Sequence, residues 1–261
     1  MKRTLSDVLF ASEKRKNVLL LLREEPRMMD DLLKSLETTR QALLPQIRIL
    51  EDNYLVSSFM DVYELTTVGK VVVDKMAPLL KTFELFDGDI NYWRTHNLDF
   101  IPTHLLPGIS EFRKSTVVDL PLVDQYDIQK IYSEKSKESE SVYAVTELLY
   151  PNYQIVFSEL IDNGVNIYLI VSKSLLEKIR TYYREDFEKY MESKFFNIFV
   201  YSKKMDFVFF TFDDYQVLMS LLKDNGEFDS THVVCSDPKA LDWIKDLFDY
   251  YLQDSIPLNE I

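Results

Sequence analysis

Between residues 38 and 51 the chain carries Thr38, Thr39, Arg40, Gln41, Gln46 and Arg48, interleaved with Leu43, Ile47 and Leu50. The three apolar residues recur at i, i+4 and i+7, which turns them to one side of a helix and leaves the polar residues on the others. Arginine can bind a guanine edge through two hydrogen bonds, glutamine can do the same for adenine, and both reach phosphates. A helix face of this composition can read bases in a DNA major groove, and it is equally compatible with a solvated surface. Thr38 or Thr39 is placed to cap the helix, its hydroxyl accepting from a free backbone N–H. Pro45 removes the bond to the carbonyl of Gln41 and is expected to kink the axis.

The elements around this helix give it a setting. A short hairpin follows, with strands expected at 55–59 and 62–65 around a turn at Met60 and Asp61, and Asn53 is expected to take the left-handed conformation at the helix exit. Thr66 and Thr67 then cap a long helix from about 68 through Val71, Val72, Met76, Leu79 and Leu80, with Pro78 a bend. Upstream, one helix capped by Ser6 and Asp7 is expected to run through the cluster 18–22 and stop before Pro26. A second starts near Met29, with Leu32, Leu33 and Leu36 on one side and Asp30 and Asp31 at its positive end. Ser58 in the hairpin and Lys70 at the start of the long helix complete the candidate DNA-contacting set.

Composition sets the outer limits. The chain has 261 residues, 46% of them apolar, enough for a large core and one to two domains. No apolar run reaches the length of a membrane span, and the charged N-terminus does not read as a signal peptide, so a cytoplasmic protein with no membrane partner is expected. Cys235 stands alone, and His96, His104 and His232 lack metal-ligand spacing, so neither a metal nor another cofactor is expected. The formal charge of −13 argues against nucleic acid only if taken as one number. Residues 1–81 hold 13 Lys/Arg and 12 Asp/Glu, a balance of +1; the remainder holds 17 and 31, a balance of −14. A near-neutral segment binds DNA when its cations share one face, because phosphate contacts are local.

The stretch from Thr38 to Lys70, with Leu50-Glu51, Leu55-Val56 and the run YELTTVGK at 63–70, resembles the winged helix-turn-helix of archaeal transcription regulators of the arsenic-repressor superfamily. NYWRTHNL at 91–98, IPTHLL at 101–106 and ALDWIKDLFDYY at 240–251 resemble the methanogenesis-regulatory, or filamentation-regulator, family, and the likeness runs over essentially the whole chain. The resemblance implies a DNA-binding transcription regulator acting on double-stranded DNA, with an α/β second domain suited to sensing. An adaptor that keeps the winged helix as a protein-interaction scaffold is the other reading.

From residue 113 the pattern changes to strands at 142–145, 165–171, 195–201, 207–212, 215–222 and 231–235, with helices at 151–162, from Ser172 or Ser174 to about 192, and at 238–253. Strand and helix alternate first, implying parallel pairing, and Asp224-Asn225-Gly226 then signals an antiparallel hairpin on one edge. The fold class expected is α+β and α/β: an N-terminal winged helix-turn-helix at 1–81, a helical linker at 82–112, and an α/β domain with a mixed sheet at 113–261. In the connection, Phe83, Phe86, Ile90 and Trp93 form a stripe expected to pack on the second domain and on a partner copy, giving a homodimer.

No enzyme is expected. The element order resembles the phospholipase-D-like fold, but its His-x-Lys motif is absent, since Leu98, Leu106 and Val234 stand two positions after the three histidines. Asp213-Asp214 reads either as paired carboxylates or, more commonly, as a tight turn. Cys235 reads as a small buried residue, and the segment 133–141, SEKSKESES, as a charged, mobile loop. Open parallel sheets bind ligands beyond the carboxyl ends of their strands. That places an effector near Thr146-Glu147, Ser172-Lys173 and Ser202-Lys203, with Tyr143, Lys173 and Tyr201 as candidate contacts.

Overall fold

The computed structural model describes residues 4–119 and 134–261. Its contacts divide the chain into two compact units, Met1–Lys81 and Thr82–Ile261, each with its own core.

In the first unit α1 (Leu5–Phe10) and α2 (Glu13–Glu24) are separate helices. The single helix expected here is broken because Ser12 starts a new one, its hydroxyl accepting from the N–H of Arg15, and α1 is capped by Thr4 in a capping box with Asp7. β1 (Arg27–Met28) and α3 (Met29–Ser35) follow, then α4 (Arg40–Asp52), β2 (Val56–Phe59) and β3 (Val62–Leu65). The strands form a small antiparallel sheet in the order β1-β3-β2. Leu43, Ile47 and Leu50 are fully buried with Val18, Leu19, Met29 and Leu32, as the spacing predicts.

Two local expectations are corrected. Thr39 is the N-cap of α4, but neither it nor Thr38 caps it through a side-chain hydrogen bond. The helix carries Pro45 in its interior and continues to Asp52. Asn53 has a φ of −101°; the left-handed residue is Tyr54, at a φ of 57°. Asn53 instead donates from Nδ2 to the carbonyl of Ile49, 2.7 Å away, and the turn falls to its neighbour. At the hairpin tip Met60 and Asp61 both have positive φ, the geometry of a tight two-residue turn.

The next helix, α5 (Thr67–Gly88), starts in this unit, is continuous through Pro78 and runs past Lys81 into the second. Thr66 caps it, its hydroxyl accepting from the N–H of Gly69 at 3.0 Å. Gly69 is required by proximity: a Cβ there would overlap the carbonyl oxygen of Leu55.

The second unit is built on an eight-stranded mixed sheet in the order β11-β7-β6-β5-β8-β9-β10-β4. Its strands are β4 (Thr116–Asp119), β5 (Ser141–Thr146), β6 (Asn166–Val171), β7 (Phe196–Tyr201), β8 (Phe209–Phe212), β9 (Val217–Ser220), β10 (Thr231–Cys235) and β11 (Ser255–Pro257). β5, β6 and β7 are parallel and the remaining pairs antiparallel. The β9–β10 hairpin is present, but β4 pairs outside β10, so the hairpin is not an edge.

The helix expected to run to about 192 is two, α8 (Lys173–Tyr182) and α9 (Arg184–Met191), divided at Tyr183. α7 (Tyr153–Asp162) and α10 (Pro238–Gln253) complete the main helices. Strand alternation gives the sheet two buried faces. Tyr143, Tyr168, Phe210 and Phe212 share a core with Phe248 and Tyr251 of α10, while Val142, Ile167 and Leu169 share one with α7, α8 and α9.

Residues 82–112 lie inside this unit and include the short helix α6 (Ile90–Trp93); Leu85, Trp93, Phe100, Ile109 and Phe112 join the α10-side core. The expected stripe divides: Phe86 packs edge-on against buried Trp93, while Phe83 and Ile90 are exposed. The expected loop at 133–141 is corrected for its described part, Ser133 lying outside the described residues. Ser136 and Ser139 are buried, and Ser136 donates to Asp213 at 2.6 Å. Asp213 also accepts from the N–H groups of Tyr215 and Gln216, and Asp214 from that of Glu140, so both carboxylates hold a turn. Cys235 is buried, and burial pushes its thiol pKa up.

Candidate nucleic-acid interface

Helix α4 presents the polar side that its sequence describes. Thr39, Arg40, Gln41, Pro45 and Arg48 are exposed and Thr38 is half-buried, on the sides away from Leu43, Ile47 and Leu50. Gln41, Pro45 and Arg48 follow one another at i, i+4 and i+7, so they form one stripe. Because Pro45 has no N–H to offer the carbonyl of Gln41, that stripe also presents a backbone acceptor.

Gln46 belongs elsewhere. Its Oε1 accepts from Arg15 Nη1 at 2.7 Å and from Ser12 Oγ at 3.3 Å. Arg15 is itself buried and donates to the carbonyls of Val8 and Asp7, so it joins α1, α2 and α4 through Gln46. A side chain committed to a buried guanidinium is not free to read a base. This contact was invisible in sequence because its partners lie 31 and 34 residues away.

The remaining candidates lie at the hairpin and beyond it. Ser58 is exposed and donates to Glu51 at 2.6 Å, and Lys70 is exposed on the first turn of α5. Arg40 forms an ion pair with Asp61 at 2.9 Å, tying the first turn of α4 to the hairpin turn. The hairpin turns at Met60 and Asp61 as expected, and its tip is more apolar than a DNA-contacting wing requires. Phe59 and Met60 are 73% and 80% exposed, and between Val56 and Leu65 there are Asp61 and Glu64 but no Lys or Arg. The run SSFMD, with two large apolar residues where the turn must be, was the available signal.

The effector contacts expected in the second unit are not brought together. Tyr143 stacks between Tyr168 and Phe212 at 5.0 and 4.8 Å and meets Phe248 edge-on, and Tyr201 packs on Tyr251. Both face the filled α10 side of the sheet. Lys173 is exposed at the start of α8. No described helix is long and apolar enough to cross a membrane.

Two family profiles match the chain: the N-terminal domain described as HVO_A0261_N over residues 3–87, and the middle domain of methanogenesis regulatory protein FilR1 over residues 126–254. Methanogenesis regulatory protein FilR1 of Methanothrix harundinacea (strain 6Ac) is 24% identical over 261 residues, covering 97% of this chain. The chain spans 58% of that relative's length. Among solved structures, TrmBL2, an archaeal chromatin protein described as showing a novel mode of DNA binding, aligns with a TM-score of 0.44 and 13% identity over 95% of each chain. NucT from Helicobacter pylori aligns at 0.41 and 12%, over 55% of this chain and 98% of its own. Residues 126–254 thus match the middle domain of methanogenesis regulatory protein FilR1 and residues 3–87 a separate N-terminal domain profile, and the chain as a whole is similar to methanogenesis regulatory protein FilR1.

Proposed function

We propose that this protein is a sequence-specific transcription regulator that reads double-stranded DNA with α4 and answers to a small-molecule effector in its second unit. The observation that carries the reading is the exposed Gln41-Pro45-Arg48 stripe, with Arg40 beside it, on a helix whose opposite side is fully buried. Arg40, Arg48 and Lys70 supply phosphate or guanine contacts and Gln41 an adenine contact. Residues 1–81 form the reading head and residues 113–261 the sensing domain. Val68, Val71 and Leu79 leave an apolar stripe exposed on α5, which suits it as the seam of a homodimer.

The test is binding of promoter fragments by fluorescence anisotropy at several salt concentrations. Wild type binds with an affinity that falls steeply with salt, and the Arg40→Ala, Arg48→Ala double variant binds at least tenfold more weakly. Equal binding by the two proteins refutes the assignment of α4.

A second reading, a protein-interaction adaptor, is favoured by the hairpin tip, where exposed Phe59 and Met60 sit beside Asp61 on a segment without cations. Absence of salt-dependent DNA affinity in the folded protein selects that reading.

A further inference from the structure

Among the described residues, the α7 side of the large sheet is incompletely filled. Its core separates into a main cluster that includes Leu160, Ile167 and Leu169 and a satellite of Val208, Phe209 and Leu218. Between them lies a partly open cavity of about 100 Å³, floored by β5, β6, β8 and β9 and roofed by α7. The gap has a sequence cause. Ala144 and Thr211 are direct cross-strand partners, so two short side chains meet, flanked in the same row by Leu169 of β6 and Leu218 of β9.

The wall is largely apolar, and four of its hydroxyls are already engaged, that of Tyr153 donating to Asp186 at 2.6 Å. Thr146 Oγ1 donates to the carbonyl of Leu148 at 2.6 Å, Thr211 Oγ1 to that of Tyr143 at 2.9 Å, and Ser136 Oγ to Asp213 at 2.6 Å. Water needs two to four polar partners to be held in a cavity, and these hydroxyls, their hydrogens engaged, offer it acceptors only, in a wall that is otherwise mostly aliphatic and aromatic. Voids of roughly 150 Å³ lined by aliphatic and aromatic side chains stay dry and take up benzene or xenon.

We propose that the second unit binds a small apolar molecule, aromatic or branched aliphatic and of about benzene's size, in this cavity. The proposal deepens the effector-responsive reading and moves the ligand from the Tyr143 and Tyr201 side of the sheet to the opposite one. The ligand packs between the Ala144–Thr211 floor and the α7 side chains Val156 and Phe157. Recognition is by shape and burial, so a polar isostere of the same size, whose hydrogen bonds would be lost on entering, is rejected.

The full chain is titrated with benzene, and with phenol as the polar control, and followed by thermal denaturation and by xenon NMR. Benzene at millimolar concentration is expected to raise the melting temperature by several degrees and phenol by much less. Ala144→Leu, which fills the floor, abolishes both the benzene shift and the xenon signal, and Val156→Phe fills from the roof should Ala144→Leu not fold. No benzene shift in wild type, or an equal shift in the filled variants, overturns the site. Promoter binding with and without benzene separates the two ideas. Benzene uptake with unchanged DNA affinity supports the site and refutes effector control, whereas loss of the site leaves the DNA-reading assignment standing on its own test.

Discussion

The guanidinium of Arg40 lies 2.9 Å from the carboxylate of Asp61, so the first turn of α4 and the hairpin turn are joined by an exposed ion pair. Pairs of this kind contribute about 0–1 kcal/mol to folding. The larger consequence falls on the proposed interface, where Asp61 neutralises one of its cations. Asp61→Asn is expected to leave the melting temperature nearly unchanged while tightening DNA binding severalfold and steepening its salt dependence, measured by anisotropy. An Asp61→Asn protein that binds like wild type removes Arg40 from the interface.

Gln46 separates packing from recognition. Gln46→Ala leaves the buried Arg15 without one of its acceptors, and hydrogen bonds to charged groups contribute roughly 1.5–3 kcal/mol. Chemical denaturation should show a loss of that order, with DNA affinity of the folded protein within about twofold of wild type. Gln41→Ala should do the reverse, keeping stability and losing preference among operator sequences. A stability-neutral Gln46→Ala that abolishes binding sinks this division of roles.

Gly69 sets how closely α5 approaches the exit of α4. Adding a methyl group against the Leu55 carbonyl forces one element away from the other, and overpacking of this kind costs roughly 1–3 kcal/mol. Gly69→Ala should lower the denaturation midpoint accordingly, whereas Gly88→Ala, where a Cβ meets nothing within 4 Å, should not lower it through any clash.

His232 is fully buried on β10, and neither ring nitrogen has a hydrogen-bond partner among the described residues. Burial pushes its pKa down, opposed by Asp229 and Asp119. The unfolded chain therefore takes up the proton at a higher pH than the folded one. Stability contributed by keeping this imidazole neutral is complete above about pH 6.5, the ordinary histidine value, and is lost as the pH falls through the lower folded value. His232→Leu should flatten the fall in stability between pH 7 and 5 and be neutral or mildly stabilising at pH 7.5, as read by urea denaturation. An unaltered pH profile excludes His232 as its source.

Much of the fold was legible where one residue period decided the outcome. Leu43, Ile47 and Leu50 are buried as their spacing requires, and 231–235 and 238–253 are the strand and helix expected from alternation and from Pro238 at a helix start. The strands missed were β1, β4 and β11, of two to four residues, too short to show a period and fixed by partners distant in sequence. Tyr54 was missed as the left-handed residue because the side chain of its neighbour, Asn53, was already engaged by Ile49.

The candidate interface was legible as a polar helix side, yet sequence could not tell Arg48, which is exposed, from Gln46, which holds Arg15. The tyrosines of the second unit misled for a related reason. Alternation assigns Tyr143 to one face of a strand but does not say that α10 fills that face and that the other keeps the cavity.

One margin of the large sheet bears on how the protein behaves when concentrated. β11 has only three residues, and its Pro257 carries no N–H, although Ile256 is 64% exposed there. An incoming chain seeking to extend the sheet finds almost no donors on which to template itself, the arrangement by which natural proteins discourage edge-to-edge aggregation. The outward isoleucine is thus tolerated beside a strand too brief to recruit another, and fibril growth has no foothold on this side of the second unit.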